Sequence, residues 1–181
     1  MTPYLRTIVT LARAVQSRDP YAAGRSERVT RLAQRMAIEL GLGAEHSHAI
    51  AVGVVCADIG KIGLPDRLLH GRGHLSDEDY ATLRSYPAMS SYILGELELP
   101  ALVKEMARWH LERWDGDGGP DGLAGEAIPI FARILSVADA VDATSFAAVA
   151  DQAGTRFCPT TVAAAERCLA ADRALREYIA A

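Results

Sequence analysis

The 181-residue sequence predicts an all-α fold, a helical bundle. Two observations carry that prediction. Apolar residues recur at helical spacing through most of the chain, while Val, Ile and Thr do not alternate with polar residues over long runs. Alanine, the best helix former, is abundant. With 50% hydrophobic and 23% charged residues, the chain has an ordinary globular balance and the length for one domain with a proper core.

The elements follow in order. Over residues 3–17, Leu5, Ile8, Val9, Ala12 and Val15 fall on one helical face, and Asp19-Pro20 breaks the run. A second helix aligns Val29, Leu32, Ala33, Met36, Ala37 and Leu40. Gly41 then stands where a helix end wants a left-handed residue. Residues 45–59 are apolar nearly all round, which predicts a central helix. "GKIGLPD" reads as a loop, and Ser76-Asp77-Glu78-Asp79 as a capping box that opens another helix. Helical segments are expected over 88–97 and 100–114. The glycine-rich stretch 115–129 is expected to be a compact loop or small hairpin. A helix over 129–144 and one or two short helices over 159–180 complete a single domain spanning 1–181.

Charge and cysteine usage narrow the function classes. The net charge of −4 and a pI near 5.7, without a basic stripe, argue against general nucleic-acid binding. Cys56, Cys158 and Cys168 lack metal-type spacing, and a sparse odd count suits reduced thiols. The apolar run "AIAVGVVCA" at 49–57 is far too short to cross a bilayer. A soluble cytoplasmic protein, free of membrane and nucleic acid, is expected.

Five blocks occur together in fixed order: "ARAVQSRDPYAAGRSERV", "ADIGKIGLPDRLL", "LRSYPAMSSYIL", "ERWDGDGGPDGLAGEAIPIFARILSVADAVDATS" and "AGTRFCP". This set resembles the HD-GYP family, HD-superfamily phosphodiesterases that degrade cyclic di-GMP in bacteria. The resemblance covers about residues 6–165. It implies an all-α bundle whose active members hold two or three iron or manganese ions on His and Asp ligands. Such paired metals clamp a phosphodiester and lower the pKa of a bridging water.

Carried over position by position, the resemblance implies a depleted site. Arg25 of "GRSERV" stands at the first ligand histidine. Ala57 replaces the histidine of the "HD" pair, while Asp58 and Lys61 remain. Tyr86 of Tyr86-Pro87 takes another histidine position. His110 survives, but its neighbour is Leu111, followed by Glu112. Asp139 matches the last ligand aspartate, and the motif's GYP is Gly118-Gly119-Pro120. About a dozen residues of the family pattern are missing after Ser145, and Cys158 stands where a helix-capping aspartate is usual.

These substitutions point to a degenerate member with no metal or cofactor expected. Any remaining ion would fall to Asp58, His110 and Asp139. Ala and Leu cannot ligate, Tyr is a poor donor here, and a permanently charged guanidinium repels dications. Carboxylates stranded in a buried site need a counter-ion, so Arg25 or Lys61 is expected to hydrogen-bond Asp58 or Asp139. The functional reading is a regulatory or interaction module in cyclic di-GMP signalling. Two alternatives stay open: a residual metal-dependent phosphodiesterase, and a nucleotide-binding module in which Arg25, Arg28 and Lys61 cradle phosphate. The resemblance implies contact with GGDEF or other signalling proteins through the loop residues Trp114, Asp115, Gly118, Gly119 and Pro120. A homodimer through the first helix is a further expectation. His46, His48, His70 and His74 match no ligand position and read as surface residues. "DGDGGPDG" lacks the bidentate glutamate of a calcium loop.

Overall fold

A computed structural model describes residues 3–18, 24–69 and 76–179. The elements, in chain order, are α1 (Pro3–Gln16), α2 (Arg25–Glu39), α3 (Ser47–Cys56), α4 (Asp66–Leu69) and α5 (Asp77–Gly95). They continue with α6 (Ala101–Trp109), α7 (Ile130–Ala143), α8 (Phe146–Ala150), α9 (Pro159–Ala171) and α10 (Arg173–Ile179). Short 3₁₀ turns occupy Ala44–His46, Ile59–Gly63 and Gly125–Ala127. Among the described residues there is no strand, only an isolated bridge between Ala153 and Phe157. The fold is all-α, and residues 115–129 form a loop rather than a hairpin.

The core is built around α3, which buries Ile50, Val52, Val54, Val55 and Cys56. Gly53 lets α6 close on it, since a Cβ there would meet Met106 Sδ at 2.5 Å. On the other side, α2 buries Val29, Leu32, Ala33, Met36 and Ala37. It packs against α7, which buries Ala132, Ile134, Leu135, Val137, Ala138 and Val141. Each fully buried large aliphatic side chain contributes roughly 1.5–3 kcal/mol relative to exposure. Helix α2 ends as its sequence predicts: Gly41 takes φ +72°, and Leu42 N–H donates to the Ala37 carbonyl at 2.9 Å.

Several boundaries differ from the sequence expectation. The third helix stops at Cys56, and "GKIG" winds on as the 3₁₀ turn. The segments before and after Pro87 are one helix, α5, opened by a full capping box between Ser76 and Asp79. Proline inside a helix costs about 3 kcal/mol. Here both Tyr86 and Pro87 are buried, and Ser90, one turn on, is pinned to the turn below. That packing offsets the cost. Helix α6 ends at Trp109, five residues short of the expected end, with His110 as its C-cap. The short helices α4 and α8 carry too few residues to show a period. His46 is half-buried against Phe131, with ring centroids 5.2 Å apart, whereas His48 is exposed. The Asp19-Pro20 break, His70 and His74 lie outside the described residues.

Candidate functional site

The site is set by one close approach. Gly60, in the 3₁₀ turn, lies so near α5 that a Cβ there would meet Tyr86 O at 2.1 Å and Ser90 N at 2.5 Å. Gly60 N–H donates to Ser90 Oγ at 2.8 Å, and Ser90 Oγ donates to the Ala57 carbonyl at 2.7 Å. This clamp fixes Asp58, the N-cap of the turn, beside Tyr86 in a position only 4% exposed.

Around Asp58 the structure gathers Arg25 from the start of α2, Lys61 from the turn, Tyr86 from α5, His110 from the end of α6 and Asp139 from α7. Arg25 Nη1 donates to Asp58 Oδ2 at 3.1 Å, and its Nη2 donates to Asp139 Oδ1. Lys61 Nζ donates to the same Asp58 Oδ2 at 2.9 Å. Two cations therefore face two carboxylates, and the cluster is neutral from its own side chains. Burial alone would raise the Asp58 pKa. Lys61 and Arg25 outweigh it and hold the carboxyl well below the usual range.

His110 is equally committed. Its Nδ1 lies 2.9 Å from the Met106 carbonyl, which can only accept, so Nδ1 carries the hydrogen. In the neutral ring Nε2 is then an acceptor, and the Tyr86 hydroxyl donates to it at 2.8 Å. Burial pushes the His110 pKa down despite Asp58 and Asp139 nearby. Burial likewise raises the Tyr86 pKa well above its ordinary value, so the phenol keeps its hydrogen.

These residues do not fit a two-metal centre. Asp58 Oδ2, Asp139 Oδ1 and His110 Nε2 are already bonded to Arg25, Lys61 and Tyr86. Among the described residues no three His, Cys, Asp or Glu side chains converge as a ligand set. The space between Arg25, Ala57, Asp58, His110 and Asp139 is about 10 Å³, the room of one water at most. Leu111 lies off the cluster, on the wall of a neighbouring cleft of about 150 Å³ that also touches His110 and Asp139.

One turn further along α2 and α7 the pairing repeats. Arg28 donates from Nε to Asp142 Oδ1 at 2.5 Å and from Nη2 to Oδ2 at 3.2 Å. Arg25, Arg28 and Lys61 are thus not brought together as one phosphate cradle. Arg25 and Lys61 are held by the site's carboxylates, and Arg28 faces a different one.

The glycine-rich loop is organised by a residue whose role the sequence reading missed. Glu112 is 3% exposed, and its carboxylate accepts from Asp121 N–H at 2.7 Å and Leu123 N–H at 3.1 Å. Gly118 passes so close that a Cβ would meet Arg113 N at 2.2 Å. Asp121 accepts from Arg108 Nε and Nη2 and from Trp109 Nε1, each at 2.7 Å. Trp114 N–H and Asp115 N–H donate to the Arg156 and Thr155 carbonyls. Of the expected partner-binding residues, Trp114 is half-buried with Arg133 over its ring at 5.8 Å. The Asp115 side chain pairs with Arg113. Gly118, Gly119 and Pro120 are half-buried at the loop's turn, and Gly119-Pro120 is a cis peptide. A glutamate just ahead of a glycine-rich loop is the signal that marks such an anchor.

The three cysteines are free and buried; burial pushes the Cys56 thiol up to about 11. No helix among the described residues is long and apolar enough to cross a membrane.

Comparison with known proteins places this geometry. The HD domain model matches residues 9–165. The cyclic di-GMP phosphodiesterase response regulator RpfG of Xanthomonas campestris is 37% identical over 142 residues, covering 76% of this chain and 37% of that protein. A 3'3'-cGAMP-specific phosphodiesterase of Vibrio cholerae is 35% identical, covering 74% of this chain and 31% of its own length. The chain thus spans about a third of the length of these curated relatives. The crystal structure of the V. cholerae cyclic GMP-AMP phosphodiesterase V-cGAP3 superimposes with a TM-score of 0.74 at 18% identity, over 98% of this chain and 51% of that one. Matched over most of its length by the HD domain model, and similar over about three quarters of its length to these phosphodiesterases, the chain belongs to the HD domain family, in its HD-GYP branch.

Proposed function

We propose that this chain is a non-hydrolysing HD-GYP domain that acts as a regulatory or interaction module in bacterial cyclic di-GMP signalling. The single observation that supports it best is the seat of Arg25. Its guanidinium bonds both Asp58 and Asp139, the two carboxylates that match ligand positions in the HD-GYP pattern. Tyr86 closes the remaining imidazole nitrogen in the same manner. A dication entering here would have to displace a fixed positive charge and break the hydrogen bond to His110. The signalling assignment draws on the relatives, whose names give cyclic di-GMP and 3'3'-cGAMP as substrates.

The interaction role draws on the glycine-rich loop. Glu112 and Asp121 hold it in one conformation, so that it meets a partner already ordered. The expected partner is a GGDEF or other signalling protein, contacted through Trp114, Asp115, Gly118, Gly119 and Pro120.

The test is incubation of the purified chain with cyclic di-GMP, and separately with 3'3'-cGAMP, in the presence of Mn²⁺ or Fe²⁺. No linear product is expected. Linear product formed at a rate that Asp58→Ala abolishes would overturn the proposal.

A further inference from the structure

A second cavity lies one turn from the candidate site. Its volume is about 460 Å³, within the range of small-molecule sites, which runs from roughly 300 to 1,000 Å³. It opens between α2, the corner joining α7 to α8, and the last two helices. Its walls are mixed: Val141, Phe146, Leu169 and Ile179 form an apolar side, and Thr144 and Ser145 add polar groups. Its charged groups are Arg28, Asp142 and Arg176.

The charges are unequally matched. The Asp142 side chain is 3% exposed and takes Nε and Nη2 of Arg28. That pair is neutral and rigid, and Nη1 of Arg28 makes no hydrogen bond among the described residues. Arg176, on the exposed side of α10, makes no ion pair among the described residues. Two guanidinium groups against one carboxylate leave the cavity with one net positive charge beside an apolar wall.

We propose that this cavity binds a small amphipathic anion: an aromatic or aliphatic body against Phe146, Leu169 and Ile179, with a phosphate or carboxylate held by Arg176 and Arg28. The guanidinium fork of Arg176 matches both headgroups, and Arg28, whose Nε and Nη2 are taken by Asp142, adds Nη1. Arg28 and Asp142 stand three residues beyond Arg25 and Asp139 on the same two helices. A ligand on Arg28 therefore bears on the helix pair that carries the candidate site. The inference rests on the cavity alone and does not require the candidate site to be inactive.

The probe is 8-anilinonaphthalene-1-sulfonate, an aromatic body carrying one anionic group, titrated into the purified chain by fluorescence. Saturable binding at one site per chain is expected, with backbone amide shifts at Thr144, Ser145 and Phe146. Arg176→Glu should weaken it by about tenfold or more, and the neutral analogue N-phenyl-1-naphthylamine should bind weaker by at least about that factor. Arg13→Ala, in the separate groove between α1, α2 and α3, should change nothing. Displacement by phenyl phosphate or by decanoate then identifies the preferred headgroup. Failure of both competitors, equal binding of the neutral analogue, or indifference to Arg176→Glu would overturn the proposal. Arg176 is exposed and outside the core, so its replacement leaves the fold intact.

Discussion

Tyr86 donates its phenolic hydrogen to Nε2 of His110, closing the one nitrogen of that ring left free to bind a metal. Nδ1 is already spent on the Met106 carbonyl. Tyr86→Phe keeps the ring and deletes only this donor. A buried acceptor left without a partner costs about 1–3 kcal/mol. The expected outcome is that loss in urea unfolding, with the slope unchanged. No loss would mean that the hydroxyl does not hold His110.

Arg25→Met should be the more damaging substitution. It leaves Asp139 without the guanidinium and Asp58 with Lys61 alone. Breaking a buried pair from one side costs about 3–5 kcal/mol; the Asp139 side chain is 24% exposed, so the lower end applies. Adding Asp139→Asn to Arg25→Met should recover part of the loss, because no unpaired charge then remains there. A single substitution costing less than about 1 kcal/mol would remove Arg25 from its assigned place.

The loop anchor has a pH signature. Arg108, and after it Trp109, hold the Asp121 carboxyl below the ordinary carboxylate value. A carboxylate whose folded pKa is depressed stabilises fully above its unfolded value, about 3.9. That stabilisation is lost as pH falls from there through the folded value. Tryptophan fluorescence of the native chain should therefore change below about pH 4, with Asp121→Asn flattening the change over that window. A transition centred near neutral pH, or one untouched by Asp121→Asn, would contradict the assignment.

Cys158 is a position that can be improved. It is the N-cap of α9 and makes no side-chain cap. Its Sγ is 3.5 Å from Arg133 Nη1, and Arg133 Nε is buried without a partner. Cys158→Asp supplies both a cap and a counter-ion. A gain of about 1 kcal/mol is expected from the cap, a rise in Tm of roughly 2–4 °C for a chain of this length. A fall in Tm would show that the pocket around Cys158 does not admit a carboxylate.

The parts of the fold that the sequence made legible are those fixed by short-range rules. Gly41 marks a helix end through its own backbone, and Ser76 with Asp79 marks a helix start through a three-residue reach. Periodicity alone found the buried face of α2. What it did not show depends on contacts distant in sequence. Pro87 reads as a break, because the turn of residues 57–60 that holds the helix there is some thirty residues away. Residue identities at positions 25, 58, 61, 86, 110 and 139 marked the candidate site as altered. They did not show that Tyr86 serves His110 rather than filling space. Glu112 was passed over because its two acceptors serve amides nine and eleven residues on, in a loop with no periodicity to read.

The central claim is that Arg25, Lys61 and Tyr86 have taken the electron pairs that a metal centre would need. Elemental analysis of the chain, purified from cells supplied with iron and manganese and then dialysed without chelator, tests it most directly. The account predicts both metals at a small fraction of one ion per chain, and no gain in Tm on adding Mn²⁺. One ion of iron or manganese per chain, lost in Asp58→Ala, would contradict it.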